Sequence, residues 1–313
     1  MSNLIANWIK DLSHADTPLR RAALVAIGDY LKQQSNPQLM MQLASHVLNE
    51  PDPTLTTLTV QTIGRLKLFC GVDVLVLVIK TDPALGVFQQ NQLSEDHKLN
   101  LRRAAIMALA QIGEKRVIPH IMKVLNNRRE NYRLRLAAAE CLGKLGDPKA
   151  TTPLVDILMD DRESSLYLRE SAAKALGMLG DIRALESLID VLDSKRGFKD
   201  KFNFLKEQVI EAIGHIGQNI GGRKNNRALD SLFAALLDEA PSIRLAAVQA
   251  IEQLGDTDCL PAIHSLLFDV EFDIACATCS CIYNLGGEEA VRQALQDENL
   301  PHIIRDELEA FIP

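Results

Sequence analysis

Apolar residues along this chain recur at helical spacing, and the whole pattern returns in units. The segment RLAAAECLGKLGDPKATTPLVDIL (135–158) is written almost again as RESAAKALGMLGDIRALESLIDVL (169–192), 34 residues further on. With the glycine of Leu-Gly-x-Leu-Gly as an anchor, the register extends to Gly28, Gly64, Ala110, Gly143, Gly177, Gly214, Glu252 and Tyr283. Immediately before the anchor stand Ile27, Ile63, Leu109, Leu142, Leu176, Ile213, Ile251 and Ile282. Nine before it every copy has Leu or Ile, and two after it come Tyr30, Leu66, Ile112, Leu145, Leu179, Ile216, Leu254 and Leu285. These offsets lay one apolar stripe along a helix of about 12 residues. Two before the anchor the column is small: Ala26, Thr62, Ala108, Cys141, Ala175, Ala212, Ala250 and Cys281. Small side chains there let neighbouring helices approach closely.

Gly146-Asp147, Gly180-Asp181 and Gly255-Asp256 end this second helix, as a glycine at the C-terminal boundary does. A shorter first helix of the next unit follows, for example TTPLVDILMD. Each helical hairpin cannot bury its apolar face alone, and stacking supplies the partner. Eight anchors and a terminal fragment, IIRDELEAFIP, predict one continuous array over residues 1–313. Three insertions interrupt it, at 81–98, 194–204 and 218–227.

Composition supports helices. Apolar residues make up 47 % of the chain and aromatics only 4 %, so the core is Leu, Ile and Ala in close helix–helix contact. The net charge of −7 argues against nucleic acid as the main partner, because phosphate contacts need concentrated Lys and Arg. Lys10 and Asp11 interrupt the opening apolar stretch, which therefore does not read as a signal peptide. Val72 to Ile79, the most apolar stretch, contains Asp73 and is too short to span a bilayer, so no membrane insertion is expected. Six cysteines in 313 residues do not form a disulfide framework, and a cytoplasmic protein with reduced thiols is the expectation.

The repeat pattern resembles the HEAT-like repeats, in particular the short variety of phycobilisome-lyase-type proteins. The resemblance covers nearly the whole chain and is strongest from Leu99 to Leu267. It implies an all-α fold, a right-handed α-solenoid of about eight stacked hairpins. It also implies a charge ladder between units. Its bases stand eight residues before the anchor, at Arg20, Arg102, Arg135, Arg169, Lys206 and Arg244. Its acids stand six residues earlier in the chain than that column, at Asp96, Glu163, Asp200, Asp238 and Asp269, and Thr56, Arg129 and Ala275 break the pattern.

In solenoids of this type the second helices line the concave face, where partners bind. The early part of that face carries Arg21, Arg65 and Arg103 with Met107, and the middle carries Glu140, Glu170, Glu207 and Glu211. Glu140–Lys144 and Glu170–Lys174 are i,i+4 pairs that support a solvated helix. Glu207–Glu211 sets like charges at the same spacing, at a cost of about 0.2–0.5 kcal/mol, and His215 continues the stripe. Such a row is a candidate for a cation, a basic peptide or a proton-accepting substrate. The insertion at 194–204 adds Lys195, Arg196, Lys199 and Lys201 around Phe198 and Phe202, a candidate contact for an acidic protein.

Enzymatic chemistry finds little support in the residues. The deoxyhypusine hydroxylases, a HEAT-like di-iron family, repeat His-Glu dipeptides, and no histidine here precedes a glutamate. HEAT-like alkylpurine DNA glycosylases use a basic, aromatic face, whereas this chain has a single tryptophan, Trp8. Phosphate-loop, nucleophile-elbow and dinucleotide motifs are missing. Cys276, Cys279 and Cys281 form Cys-x-x-Cys-x-Cys, but the last two lie about 200° apart around a helix and cannot share an ion. The register makes Cys279 and Cys281 core fillers and leaves Cys276 at a variable position. The leading expectation is a protein-binding scaffold or assembly factor without cofactor or metal. The alternative, by resemblance, is a phycobilin lyase subunit of the E/F type that handles an open-chain tetrapyrrole on a phycobiliprotein. Under it, Arg21, Arg65 and Arg103 meet the propionates, and Glu170, Glu207 or Glu211 the pyrrole nitrogens.

Overall fold

A computed structural model describes residues 2–81, 93–160, 165–194, 203–219 and 225–312. Its described residues are helical throughout, with no strand. They divide into two compact units, Met1–Asp147 and Pro148–Pro313. Each is an α-solenoid stack of hairpins.

The first unit opens with α1 (Ser2–Asp11) and α2 (Thr17–Gln33). It continues through α3 (Pro37–Asn49), α4 (Pro53–Arg65), α5 (Val72–Lys80) and α6 (Glu95–Ile112). It closes on α7 (Ile118–Asn126) and α8 (Tyr132–Leu145). The second unit alternates in the same way: α9 (Thr151–Met159), α10 (Leu166–Leu179), α11 (Leu185–Asp193) and α12 (Asn203–Asn219). Then come α13 (Asn226–Ala235), α14 (Pro241–Leu254), the one-turn α15 (Leu260–Ile263), α16 (Phe272–Ala294) and α17 (His302–Glu309). Helix α16 is broken at Gly287, whose φ of 63° and ψ of −160° are non-helical.

Local chemistry sets the helix ends. Asp52 caps α4 by accepting hydrogen bonds from the amides of Thr54 and Leu55, with Pro53 at the first helical position. Ser94, Ser165 and Asn225 cap α6, α10 and α13 in the same manner. At the other end Gly113, Gly146, Gly180 and Gly255 adopt left-handed φ values of 62–80°, a conformation that costs other residues a steric penalty.

The two narrow columns of the repeat meet each other. A Cβ on the anchor Gly64 would lie 2.6 Å from Cα of Ala108, the small residue of the next second helix. Gly177 faces Ala212 and Gly214 faces Ala250 in the same way, each at 2.9 Å. The residue just before the anchor is 0–2 % exposed in all eight copies, which makes this column the spine of the core. Cys141, Cys259, Cys279 and Cys281 are buried, Cys276 is half-buried and Cys70 is exposed. Burial pushes the thiols of Cys141, Cys279 and Cys281 up to about 12.

Candidate functional site

Ladder residues clasp neighbouring hairpins. Arg20 on α2 uses all five of its N–H groups. Nε and Nη2 bind the two Glu50 oxygens at 2.8 Å, Nη1 reaches the carbonyls of His14 and Ala15, and Nη2 also donates to Thr17 Oγ1. The Glu50 side chain is wholly buried. Arg102 binds Glu130 in a fork at 3.1 and 2.7 Å and donates its Nε to Ile79 O, capping α5. Burial alone would raise Glu130, but the Arg102 hydrogen bonds, the Asn131 amide and the Arg102 charge together outweigh it and hold the carboxyl below its usual range. Arg135 and Arg169 likewise cap first helices through Leu125 O and Leu158 O. In the second unit Lys206 meets Asp238 at 3.1 Å, and Arg244 grips Asp269 at 2.7 and 2.8 Å. Arg20, Arg102, Lys206 and Arg244 therefore each reach an acid of the following hairpin.

Two positions correct the sequence reading of this ladder. Glu50 and Glu130 carry the acidic role in unit 1, although neither stood in the predicted acidic set. Asp96 finds no ladder base, because the preceding hairpin offers Thr56, whose hydroxyl donates to Glu50 O and Asp52 O instead, and its charge acts on Arg133. Glu163 and Asp200 lie outside the described residues.

Among the second-helix candidates of the first unit, Arg21, Arg65 and Arg103 are exposed, one on each of α2, α4 and α6, and Met107 is half-buried. Arg65 lies over the preceding helix, its Nη2 3.8 Å from where a Cβ on Gly28 would stand. Lys32, at 2.7 Å, holds Asp29 below the usual carboxylate range, with Arg65 adding to the effect. Glu140 and Lys144 pair at 2.6 Å on α8.

In the second unit the charge of Glu207 on α12 reaches Glu170 on α10. Burial first, and the Glu207 charge second, raise the Glu170 carboxyl. Lys174, the expected i,i+4 partner of Glu170, is exposed and makes no ion pair with it. Glu211 accepts a hydrogen bond from Gln208 Nε2 at 3.0 Å, while His215 is exposed and its Cδ2 stands 3.6 Å from the Cβ position of Gly177. No three His, Cys, Asp or Glu side chains among the described residues converge as metal ligands. The loop candidates Lys195, Arg196, Phe198, Lys199, Lys201 and Phe202 lie outside the described residues.

Two clefts in the first unit were not read from the sequence. One, of about 460 Å³, is lined by Leu12, His14, Arg20, Gln42, His46 and Glu50, among others. His46 is buried there, its Nε2 3.3 Å from Glu50 Oε2 but without a hydrogen bond, and burial lowers its pKa with help from Arg20. The other, of about 330 Å³, sets Val72, Val76 and Leu77 of α5 against Lys80, Arg116 and His120, with Asp73 and Arg116 3.2 Å apart. His46 and His120 fall on first helices, whose positions the repeat anchor does not index.

Comparison with known proteins agrees with the geometry. The HEAT repeat family matches residues 90–166, and the PBS lyase HEAT-like repeat matches 168–194 and 243–269. No curated protein matches in sequence. Among solved structures, the complex of CpcE and CpcF of phycocyanin lyase from Nostoc sp. PCC7120 is 23 % identical, with a TM-score of 0.47 over 75 % of this chain and 85 % of that one. Kap121p is 11 % identical with a TM-score of 0.54, covering 99 % of this chain and 37 % of its own length. Human deoxyhypusine hydroxylase is 16 % identical, with a TM-score of 0.36 over 90 % of this chain and 96 % of that one. At these identities the likeness concerns the fold alone. No helix among the described residues is long and apolar enough to cross a membrane. With its repeated anchor and clasped hairpins, the chain thus carries HEAT repeats over 90–166 and PBS lyase HEAT-like repeats at 168–194 and 243–269.

Proposed function

We propose that the protein is a binding scaffold or assembly factor that presents the second-helix faces of its solenoid units to another protein. The observation that carries this reading is where charge sits on the second helices. Those of the first unit offer the exposed Arg21, Arg65 and Arg103, and α10 and α12 of the second hold the half-buried Glu170 and Glu207, whose charge adds to the burial that raises Glu170. Like charges held together cost free energy in the free protein, and a cationic partner relieves that cost. The test is affinity capture from native lysate read by mass spectrometry. The triple variant Arg21→Gln/Arg65→Gln/Arg103→Gln and the pair Glu207→Gln/Glu211→Gln are run beside the parent. Loss of the same captured protein in either variant supports the reading, and unchanged capture in both removes it.

A second reading rests on the PBS-lyase type of the repeats at 168–194 and 243–269. In it the three arginines receive the propionates of an open-chain tetrapyrrole. Incubation with bilin and an apo-phycobiliprotein tests it directly, and absence of covalent pigment transfer sinks it.

A further inference from the structure

The clasp at Arg244 has an outer side. Its guanidinium binds the Asp269 carboxylate and, through Nη1, the carbonyls of Asp238 and Glu239 at 3.0 and 3.2 Å, which ties two successive hairpin turns together. Asp238 and Asp269 are spent inward, on Lys206 and Arg244. Their apolar neighbours are left in water: Leu237 is 79 % exposed, Val270 91 %, Phe272 50 % and Phe268 41 %. Large side chains gathered at one edge and rimmed by polar groups mark a contact surface rather than scattered exposure.

Charge decides what fits there. Asp238 is neutralised by Lys206 and Asp269 by Arg244. Glu239, Glu271 and Asp273 remain exposed between the apolar side chains. From residue 245 to 291 the chain holds eight carboxylates and not one lysine or arginine. From 245 to the end there are thirteen carboxylates against two arginines, Arg292 and Arg305. An apolar segment with acidic flanks would be repelled from this edge, as would an anionic lipid surface.

We infer that the turn edge formed by residues 237–240 and 268–273 is a second docking surface, separate from the second-helix faces, and that it takes a protein segment with lysine or arginine side chains beside apolar ones. The apolar residues supply the contact area, and the three carboxylates select the basic flanks.

The probe is a dye-labelled helical peptide of about 14 residues with a leucine face and a lysine face, measured by anisotropy on the full chain. Its counterpart has glutamate in place of lysine. The lysine peptide is expected to bind about tenfold or more tightly than the glutamate one, and to weaken when Glu239→Gln/Glu271→Gln/Asp273→Asn removes the rim. Leu237→Asp/Val270→Asp separates the two contributions. It adds negative charge, so purely electrostatic binding would strengthen, whereas docking on the apolar edge is lost by about tenfold or more. Both positions are exposed, and an unchanged far-ultraviolet circular dichroism spectrum verifies folding. Glu207→Gln/Glu211→Gln is expected to leave this binding intact, which keeps the outcome independent of the proposed second-helix faces. Equal affinity for the two peptides, or full affinity in Leu237→Asp/Val270→Asp, overturns the inference. So does a concentration-dependent dimer that those two substitutions abolish, since a second copy would then be the occupant.

Discussion

At the scale of single residues, the buried clasp and the half-buried clasp differ in what their loss costs. Arg20 and Glu50 are 11 % and 0 % exposed in their side chains, and removing one partner strands a charge out of water. Arg20→Ala is expected to destabilise the protein by about 3–5 kcal/mol, read by denaturant titration. Lys206→Ala, whose pair with Asp238 is 29 % and 23 % exposed, is expected to cost about 1 kcal/mol or less. Acid adds to the same site. His46 has a folded pKa depressed by burial, so the unfolded chain binds its proton more readily. Stability therefore falls as the pH drops below the ordinary histidine value of about 6.5, and stops falling for this reason once the folded value is passed. His46→Gln is expected to flatten that limb of a melting-temperature profile. Glu130 and Asp269, whose pKa values are held low, lose their contribution only as the pH falls further, through their folded values. Little of this was legible in the sequence. Glu50 hides because its column is defined by a base that Thr56 replaces, and Glu130 sits five rather than six residues before Arg135.

At the scale of helices, sequence and structure speak the same language, because packing leaves each position few choices. The apolar column before the anchor, the small column and the glycine stops could be read directly, since each records a steric constraint repeated in every copy. The anchor glycines rank by the space around them. A Cβ on Gly64 or Gly214 runs into the backbone of the facing helix, at 2.6 and 2.9 Å, whereas one on Gly28 meets nothing nearer than a threonine methyl at 3.3 Å. Gly64→Ala and Gly214→Ala are expected to cost about 1–3 kcal/mol by overpacking, and Gly28→Ala clearly less, measured by thermal melts of all three. Surface positions carry no comparable record. That is why the apolar side chains at 237 and 270 cannot be read from the sequence, although the ladder acids beside them can, and why the effect of Glu207 on Glu170 appears only once the helices are stacked.

At the scale of the whole molecule, the six thiols are distributed so that they report on folding in each unit. Cys70 and Cys141 belong to the first, and Cys259, Cys276, Cys279 and Cys281 to the second. Alkylation near pH 8 followed by mass mapping is expected to label Cys70 first, Cys276 more slowly, and the other four only in denaturant. Early labelling of Cys279 or Cys281 would contradict the burial that makes them core fillers. The order in which Cys141 and the second unit's buried thiols open then tells whether the two units unfold together. The clasps carry one more consequence, an evolutionary one. Four joints take their base from one hairpin and their acid from the next, at the same or nearly the same places in the register. A recombination between equivalent points of two such repeats therefore gives the new junction one base and one acid. Such an array can gain or lose whole hairpins by unequal crossing-over without stranding a buried charge, and single-residue insertions inside a repeat have no such protection.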